Sequence, residues 1–332
     1  MKATDEGMLS QALKVEEVDA VEILSLVDNS VDYLSSIDKN EAQTFRQWMK
    51  ECHKNEVATN QFQLPIAEHG FAMLIRVLIK GKLRTVLFDT GSSSDGAVAN
   101  AERMDLDLHE VDCIVLSHGH YDHFGGLLSV LKAINKVNLP LIIHEDMFKT
   151  RGTANQDETI RIYPKFPAKE QLSPAHLIGT KQPLLIADDM ILVTGEIPRE
   201  TTFERGYLSH RVLVNGSWQP DPCILDDRAV IVNVKGKGLV VISGCAHSGI
   251  INTITYAQQI TGITTICAVL GGFHLAGREN ENRIEPTMKE LKRINPQLIA
   301  PSHCTGWRGM CAIANVMPNA SVWNSVGNLY KF

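Results

Sequence analysis

The chain has 332 residues, 44% of them hydrophobic and 21% charged, and a net charge of −6. That size supports a sizeable core, and an acidic balance without a basic stripe excludes a nucleic-acid footprint. No run of about 18 apolar residues occurs, so no membrane span is expected, and residues 1–17 lack the basic and apolar regions of a secretory leader.

Residues 21–27 form an apolar run that ends at Asp28-Asn29. Residues 39–54 have the spacing of an amphipathic helix, with Phe45, Trp48, Met49 and Cys52 on one side. Residues 71–80 and 83–88 read as two strands turning at Gly81-Lys82. A buried strand is expected at 113–116, a helix at 127–137 and a strand at 141–143. From about 145 to 222 the chain is rich in Pro, Gly and polar residues, and only 184–186 and 191–193 have strand character. Such an insertion serves as a lid or specificity loop, or is a solvated excursion. Beyond it, 229–234 and 239–242 flank the turn Lys235-Gly236-Lys237-Gly238, 250–260 and 284–294 are helical, and 266–270 and 298–300 are strands. That order suits two mixed sheets packed face to face with helices outside. It implies one α/β domain over residues 19–332, after a tail of residues 1–18.

The cysteines are Cys52, Cys113, Cys223, Cys245, Cys267, Cys304 and Cys311. An odd number at irregular spacing suits reduced thiols in a cytoplasm, not a disulfide framework.

Polar clusters follow the ends of apolar strands: Asp89-Thr90-Gly91, then residues 118–123, His247, His274 and His303. Residues at strand ends can converge on one sheet edge. The densest cluster is Ser117-His118-Gly119-His120-Tyr121-Asp122-His123, with three imidazoles and a carboxylate between a strand and a helix. Histidine is the commonest metal ligand, and zinc takes N, S and O donors. His118 and His120 alternate, so an extended loop can point them the same way. Asp122 and His123 are adjacent and diverge, which suits a second ion. His247 and His303, each after a strand and before small residues, are the candidates to complete the set. The helix beginning near Ser248 turns free N–H groups toward the His247 loop, and such a terminus can hold an anion.

The motif His118-x-His120-x-Asp122-His123, with Phe88-Asp89-Thr90-Gly91 upstream, resembles the signature of the metallo-β-lactamase superfamily. Further segments resemble one branch of it: Glu68-His69-Gly70-Phe71, Thr194-Gly195-Glu196-Ile197-Pro198-Arg199, Asp226-Asp227, Ser243-Gly244-Cys245-Ala246-His247, Gly271-Gly272-Phe273-His274 and Ser302-His303-Cys304-Thr305-Gly306. That branch includes the archaeal 7,8-dihydropterin-6-methyl-4-(β-D-ribofuranosyl)aminobenzene 5′-phosphate synthases and many bacterial relatives. The likeness runs from about Val21 to the C-terminus.

The resemblance implies an αββα four-layer sandwich with metals at one edge of the sheets. By position it implies His118, His120, Asp122, His123, His247 and His303 as ligands, Asp122 also as catalytic residue, and Asp89 just behind them. Cys245 falls where many relatives place a bridging Asp; either it ligates or His247 takes that part. Glu196 falls where a third ligand histidine is familiar. His274, Glu196, Arg199 and His69 are expected to approach the substrate, with the guanidinium fork suited to phosphate or carboxylate. Zn²⁺ is the expected cofactor, as one or two ions, with Mn²⁺, Fe²⁺ or Mg²⁺ as other occupants. The implied activity is a hydrolase using a metal-bound hydroxide on a phosphate ester, ester or lactone. The alternatives are a dihydropterin-linked synthase releasing pyrophosphate and a non-catalytic metal-binding sensor. The partner is a small molecule, phosphorylated in some of these readings.

Overall fold

A computed structural model describes residues 12–52 and 63–332. Among the described residues the strands form sheets of eight, seven and four strands. The eight-stranded sheet runs His176–Gly179, Pro140–Ile143, Cys113–Val115, Lys82–Phe88, Ala72–Ile79, Ala20–Val27, Leu329–Lys331, Ala42–Gln43. The seven-stranded sheet runs Leu184–Ile186, Ile191–Val193, Ala229–Val234, Gly238–Ser243, Ile266–Gly272, Leu298–Ser302, with Glu17–Val18 also paired to Ala229–Val234.

The two sheets are apolar on both faces because both faces are covered. Side chains alternate along a strand, so Met73, Ile75 and Val77 join Val230, Val232, Val240 and Ile242 between the sheets. Leu74, Leu87, Ile114 and Leu141 turn outward onto the helices Phe45–Cys52, Gly96–Arg103 and Leu127–Ile134. On the far side Ile231, Val241 and Val269 meet Ile250–Thr261, Ile284–Ile294 and Gly306–Val316. The result is the expected αββα sandwich.

Local chemistry moves several boundaries. The helix expected at 39–54 starts only at Phe45, because Thr44 and Gln47 form a reciprocal capping box. Residues 53–54 lie outside the described part. The helix expected to reach 137 stops at Ile134, where Asn135 takes a left-handed conformation with φ of 51°. The expected tail is held from residue 13 onward: Leu13 N–H donates to the Ile260 carbonyl, Val15 is buried, and Glu17–Val18 pairs with Asn233 and Val234. Gly96–Arg103 and Gly306–Val316 are helices that the spacing did not reveal; the first buries only Ala97, Asn100 and Ala101, too small an apolar stripe to register.

The insertion is more ordered than its composition implies. Ser217–Pro220, His210–Val214, Arg151–Ala154 and Ile160–Ile162 form the four-stranded antiparallel sheet, and His176–Gly179 extends the eight-stranded one. Arg151–Ala154 and Ser217–Pro220 carry almost no apolar side chains, and Ile160–Ile162 is only three residues long. No helix of the described residues is long and apolar enough to cross a membrane.

Candidate metal centre

Parallel neighbours end at the same edge of a sheet. Lys82–Phe88 lies parallel to Cys113–Val115, and Gly238–Ser243, Ile266–Gly272 and Leu298–Ser302 are parallel to one another. The loops that follow these strands therefore meet, and they carry Asp89, residues 118–123, His247, His274 and His303.

Three ring nitrogens form a triangle there. His118 Nε2 lies 2.9 Å from His120 Nδ1, and His247 Nε2 lies 3.2 and 3.1 Å from those two atoms. A tetrahedral zinc with bonds near 2.0–2.1 Å needs nitrogen–nitrogen edges of about 3.3 Å, so the triangle fits one ion. All three rings are buried. Burial and the neighbouring imidazoles hold each well below the usual histidine range, which leaves neutral lone pairs available for a cation.

A second group adjoins the first. Asp122 Oδ2 lies 3.2 Å from His303 Nε2 and 4.0 Å from His123 Nε2, and His123 Nε2 lies 3.1 Å from Cys245 Sγ. Cys245 Sγ falls within 4.8 Å of donor atoms from both groups. Burial disfavours the Asp122 charge, but His123 and His303 outweigh it and hold the carboxyl well below its usual range. Burial likewise opposes charge on His303, yet its hydrogen bond to Asp122 and the Cys304 and Asp122 charges raise it to about 9.

The outer nitrogens of His118, His123 and His303 are engaged as well, whereas Nδ1 of His247 is buried without a partner. Ser117 Oγ lies 2.9 Å from His118 Nδ1, Asp89 Oδ2 2.6 Å from His123 Nδ1, and Asn29 Oδ1 3.1 Å from His303 Nδ1. Such outer partners fix the tautomer and orientation of metal-binding histidines. Asp226 Oδ2 accepts from Gly119 N, between His118 and His120, and Asp227 Oδ2 accepts from Ser248 N, next to His247. Both groups open onto a cleft of about 350 Å³ whose lining includes His69, Asp122, Tyr163, Tyr207, His274 and Cys304.

The family profile described as the metallo-beta-lactamase superfamily matches residues 68–197. A 7,8-dihydropterin-6-methyl-4-(beta-D-ribofuranosyl)-aminobenzene-5'-phosphate synthase of Methanocaldococcus jannaschii is 32% identical over 247 residues, covering 73% of this chain and 82% of that protein. The chain belongs to the metallo-β-lactamase superfamily. An uncharacterized protein of the same archaeon, MJ0448, is 34% identical over 269 residues, covering 79% of this chain and 93% of that one. The crystal structure of Tm1679, described as a metal-dependent hydrolase of the beta-lactamase superfamily, aligns with a TM-score of 0.68 at 24% identity, over 94% of this chain and 98% of that chain. That last likeness speaks for the fold.

Within this metallo-β-lactamase fold the six expected ligands, His118, His120, Asp122, His123, His247 and His303, come together with Cys245. His69 stacks on His303 at 4.9 Å between ring centroids, with Nε2 3.4 Å from Asp122 Oδ2. His274 lies with its ring centroid 4.1 Å from that of His247, and both its ring nitrogens are without a hydrogen-bond partner. Glu196 is elsewhere: its Oε1 lies 3.1 Å from His144 Nε2, and it does not line the cleft. The third imidazole of the first triangle is thus His247, not a residue near 196. Arg199 sits beside Asp227, also outside the cleft lining. The helix N-terminus expected to hold a ligand anion is already filled, since the Glu204 carboxylate accepts from Ile251 N and Asn252 N at 2.9 Å each.

Sequence reasoning missed His210, Tyr163, Tyr207 and Arg161, which reach the site from the insertion. His210 begins the strand His210–Val214 instead of following one, so the strand-end pattern that marked the other histidines did not mark it.

Proposed function

We propose that this protein is a hydrolase of phosphate esters, esters or lactones, using one or two divalent ions, with zinc the favoured occupant. The supporting observation is the pair of adjoining donor groups, three imidazoles on one side and Asp122, His123 and His303 on the other, at the floor of a cleft. Bound metal would supply Lewis acidity and lower the pKa of a coordinated water to about 7. The chain's own residues do the rest. Asp122 Oδ2 faces both the second donor group and the cleft, where it orients the attacking water. His274 lines the cleft with both ring nitrogens unpartnered, and the one that carries the proton is available to donate to a substrate oxygen as negative charge develops on it. Cys245 would offer a sulfur donor beside both groups. All seven cysteines are free thiols, which supports a reducing cytoplasm as the setting.

A second reading is condensation with release of pyrophosphate from a dihydropterin substrate. The curated relative named as a synthase favours it, as do the three tyrosines, Tyr121, Tyr163 and Tyr207, that line the cleft and offer faces to a planar ring. A metal-loaded screen across phosphodiesters, lactones, thioesters and pterin pyrophosphates separates the two, with His120→Ala run beside the wild type. Water-dependent turnover lost in the variant supports the hydrolase. Pyrophosphate release only when a second, aryl substrate is present supports the synthase. Equal turnover by both proteins would assign that activity to another site.

A further inference from the structure

We propose that His210, delivered by the insertion's own sheet, is a positioning residue that sets the tautomer of His120 and thereby directs a bare nitrogen at the metal. The inference rests on the metal-centre reading above and extends it to a residue outside the expected ligand set.

The geometry fixes proton positions one after another. His210 Nδ1 lies 2.9 Å from the main-chain carbonyl oxygen of Asp221. A carbonyl can only accept, so Nδ1 carries the proton, and a neutral imidazole has just one. His210 Nε2 is therefore a lone pair. It lies 3.0 Å from His120 Nε2, which must then hold the proton shared between the two rings. His120 in turn has its single proton on Nε2, and its Nδ1 is left bare. That atom is the one that faces His118 Nε2 and His247 Nε2 at 2.9 and 3.1 Å. The Asp221 carboxylate, with Oδ2 3.3 Å from His210 Nδ1, reinforces the same arrangement.

The surroundings hold the relay in place. His210 is fully buried. Its strand pairs with Arg151–Ala154, placing His210 opposite Thr153 and Val212 opposite Arg151. Arg151 grips Asp226, which accepts from Gly119 between the two expected ligands. Tyr163 packs on both rings, with centroids 5.2 Å from His120 and 5.9 Å from His210. Two adjacent strands of the insertion thus support the first donor triangle from behind, one through the ring of His120 and one through the backbone of Gly119.

The test titrates cobalt(II), followed by its visible absorption, and zinc by competition with a chromophoric chelator, into three metal-free proteins. These are the wild type, His210→Phe, which keeps a ring but no acceptor, and His210→Gln, whose side-chain carbonyl can accept from His120 Nε2. Losing such an outer partner typically weakens metal binding about 10–100-fold. The Phe protein should show that loss with an altered cobalt spectrum, while the Gln protein regains most of the wild-type affinity. Thermal melts of the metal-free proteins check that all three fold. Nitrogen-15 NMR of the metal-free wild type needs no variant, and should find the His120 proton on Nε2. Equal affinity and spectra in the Phe and wild-type proteins, or the His120 proton on Nδ1, would overturn the role of His210 while leaving the metal centre standing. A wild type that binds neither ion would overturn both.

Discussion

Asp89 Oδ2 lies 2.6 Å from His123 Nδ1, and the same carboxylate accepts from Ser117 N at 2.6 Å and Ser117 Oγ at 2.7 Å. A residue at the end of one strand thereby fixes a ring that belongs to the loop after its neighbour. Asp89→Ala should weaken metal binding about 10–100-fold, because His123 loses the partner that aims its Nε2. The variant should also be less stable by about 1–3 kcal/mol for each buried donor left unpaired. Zinc competition and urea unfolding measure the two effects. Wild-type affinity in the variant would show that Asp89 does not orient the ring.

Asp226 and Arg151 form a fully buried pair, with contacts of 2.7 and 2.6 Å. Removing one partner strands the other charge, so Asp226→Ala should cost about 3–5 kcal/mol, read as a lower urea midpoint. The pH dependence follows from the same pair. Burial pushes the Asp226 carboxyl up, but the Arg151 guanidinium and its hydrogen bonds outweigh this and hold it below the ordinary value. A lowered carboxyl pKa contributes stability that is complete above the unfolded value of about 3.9 and is lost as pH falls through the folded one. The wild type should therefore show a full and constant contribution from this pair between pH 7 and 5, and a growing loss below about 4 that is absent from the variant.

Glu204 closes the start of the helix Ile250–Thr261 by accepting from Ile251 N and Asn252 N. Glu204→Ala uncovers two buried N–H groups, and a loss of about 2–6 kcal/mol is expected from their desolvation. It should also convert the helix end into an anion site, so phosphate should stabilise the variant more than the wild type. Melting temperatures with and without phosphate decide this; equal shifts in the two proteins would contradict it.

Thiol reactivity should sort by burial. Cys52 and Cys311 are exposed, whereas burial pushes Cys113 up to about 12 and Cys267 up to about 11. The thiolate is the reacting species, and both buried groups stay protonated until pH approaches those values. In the native protein at pH 8, maleimide labelling read by peptide mass should mark Cys52 and Cys311 within minutes and spare Cys113 and Cys267. Prompt labelling of Cys113 would mean the strand Cys113–Val115 is not packed as described.

The sandwich was legible because its central strands are continuous apolar runs between turn signals, as at 229–234 and 239–242. The ends of those strands also announced the histidines, since a parallel sheet brings successive strand ends to one edge. The insertion was not legible for the opposite reason. Its strands Arg151–Ala154 and His210–Val214 spend side chains such as Arg151 and His210 on the metal loops, so no apolar alternation marks them. The partners of Glu196 and Glu204, His144 and a helix end distant in sequence, follow from tertiary packing and leave no local trace.

The most direct measurement is anomalous diffraction from crystals soaked in zinc, with data collected on both sides of the zinc edge. A peak about 2.0–2.1 Å from His118 Nε2, His120 Nδ1 and His247 Nε2 together is the expected result. A zinc peak that leaves His247 uncoordinated, or that lies away from all three rings, would contradict it.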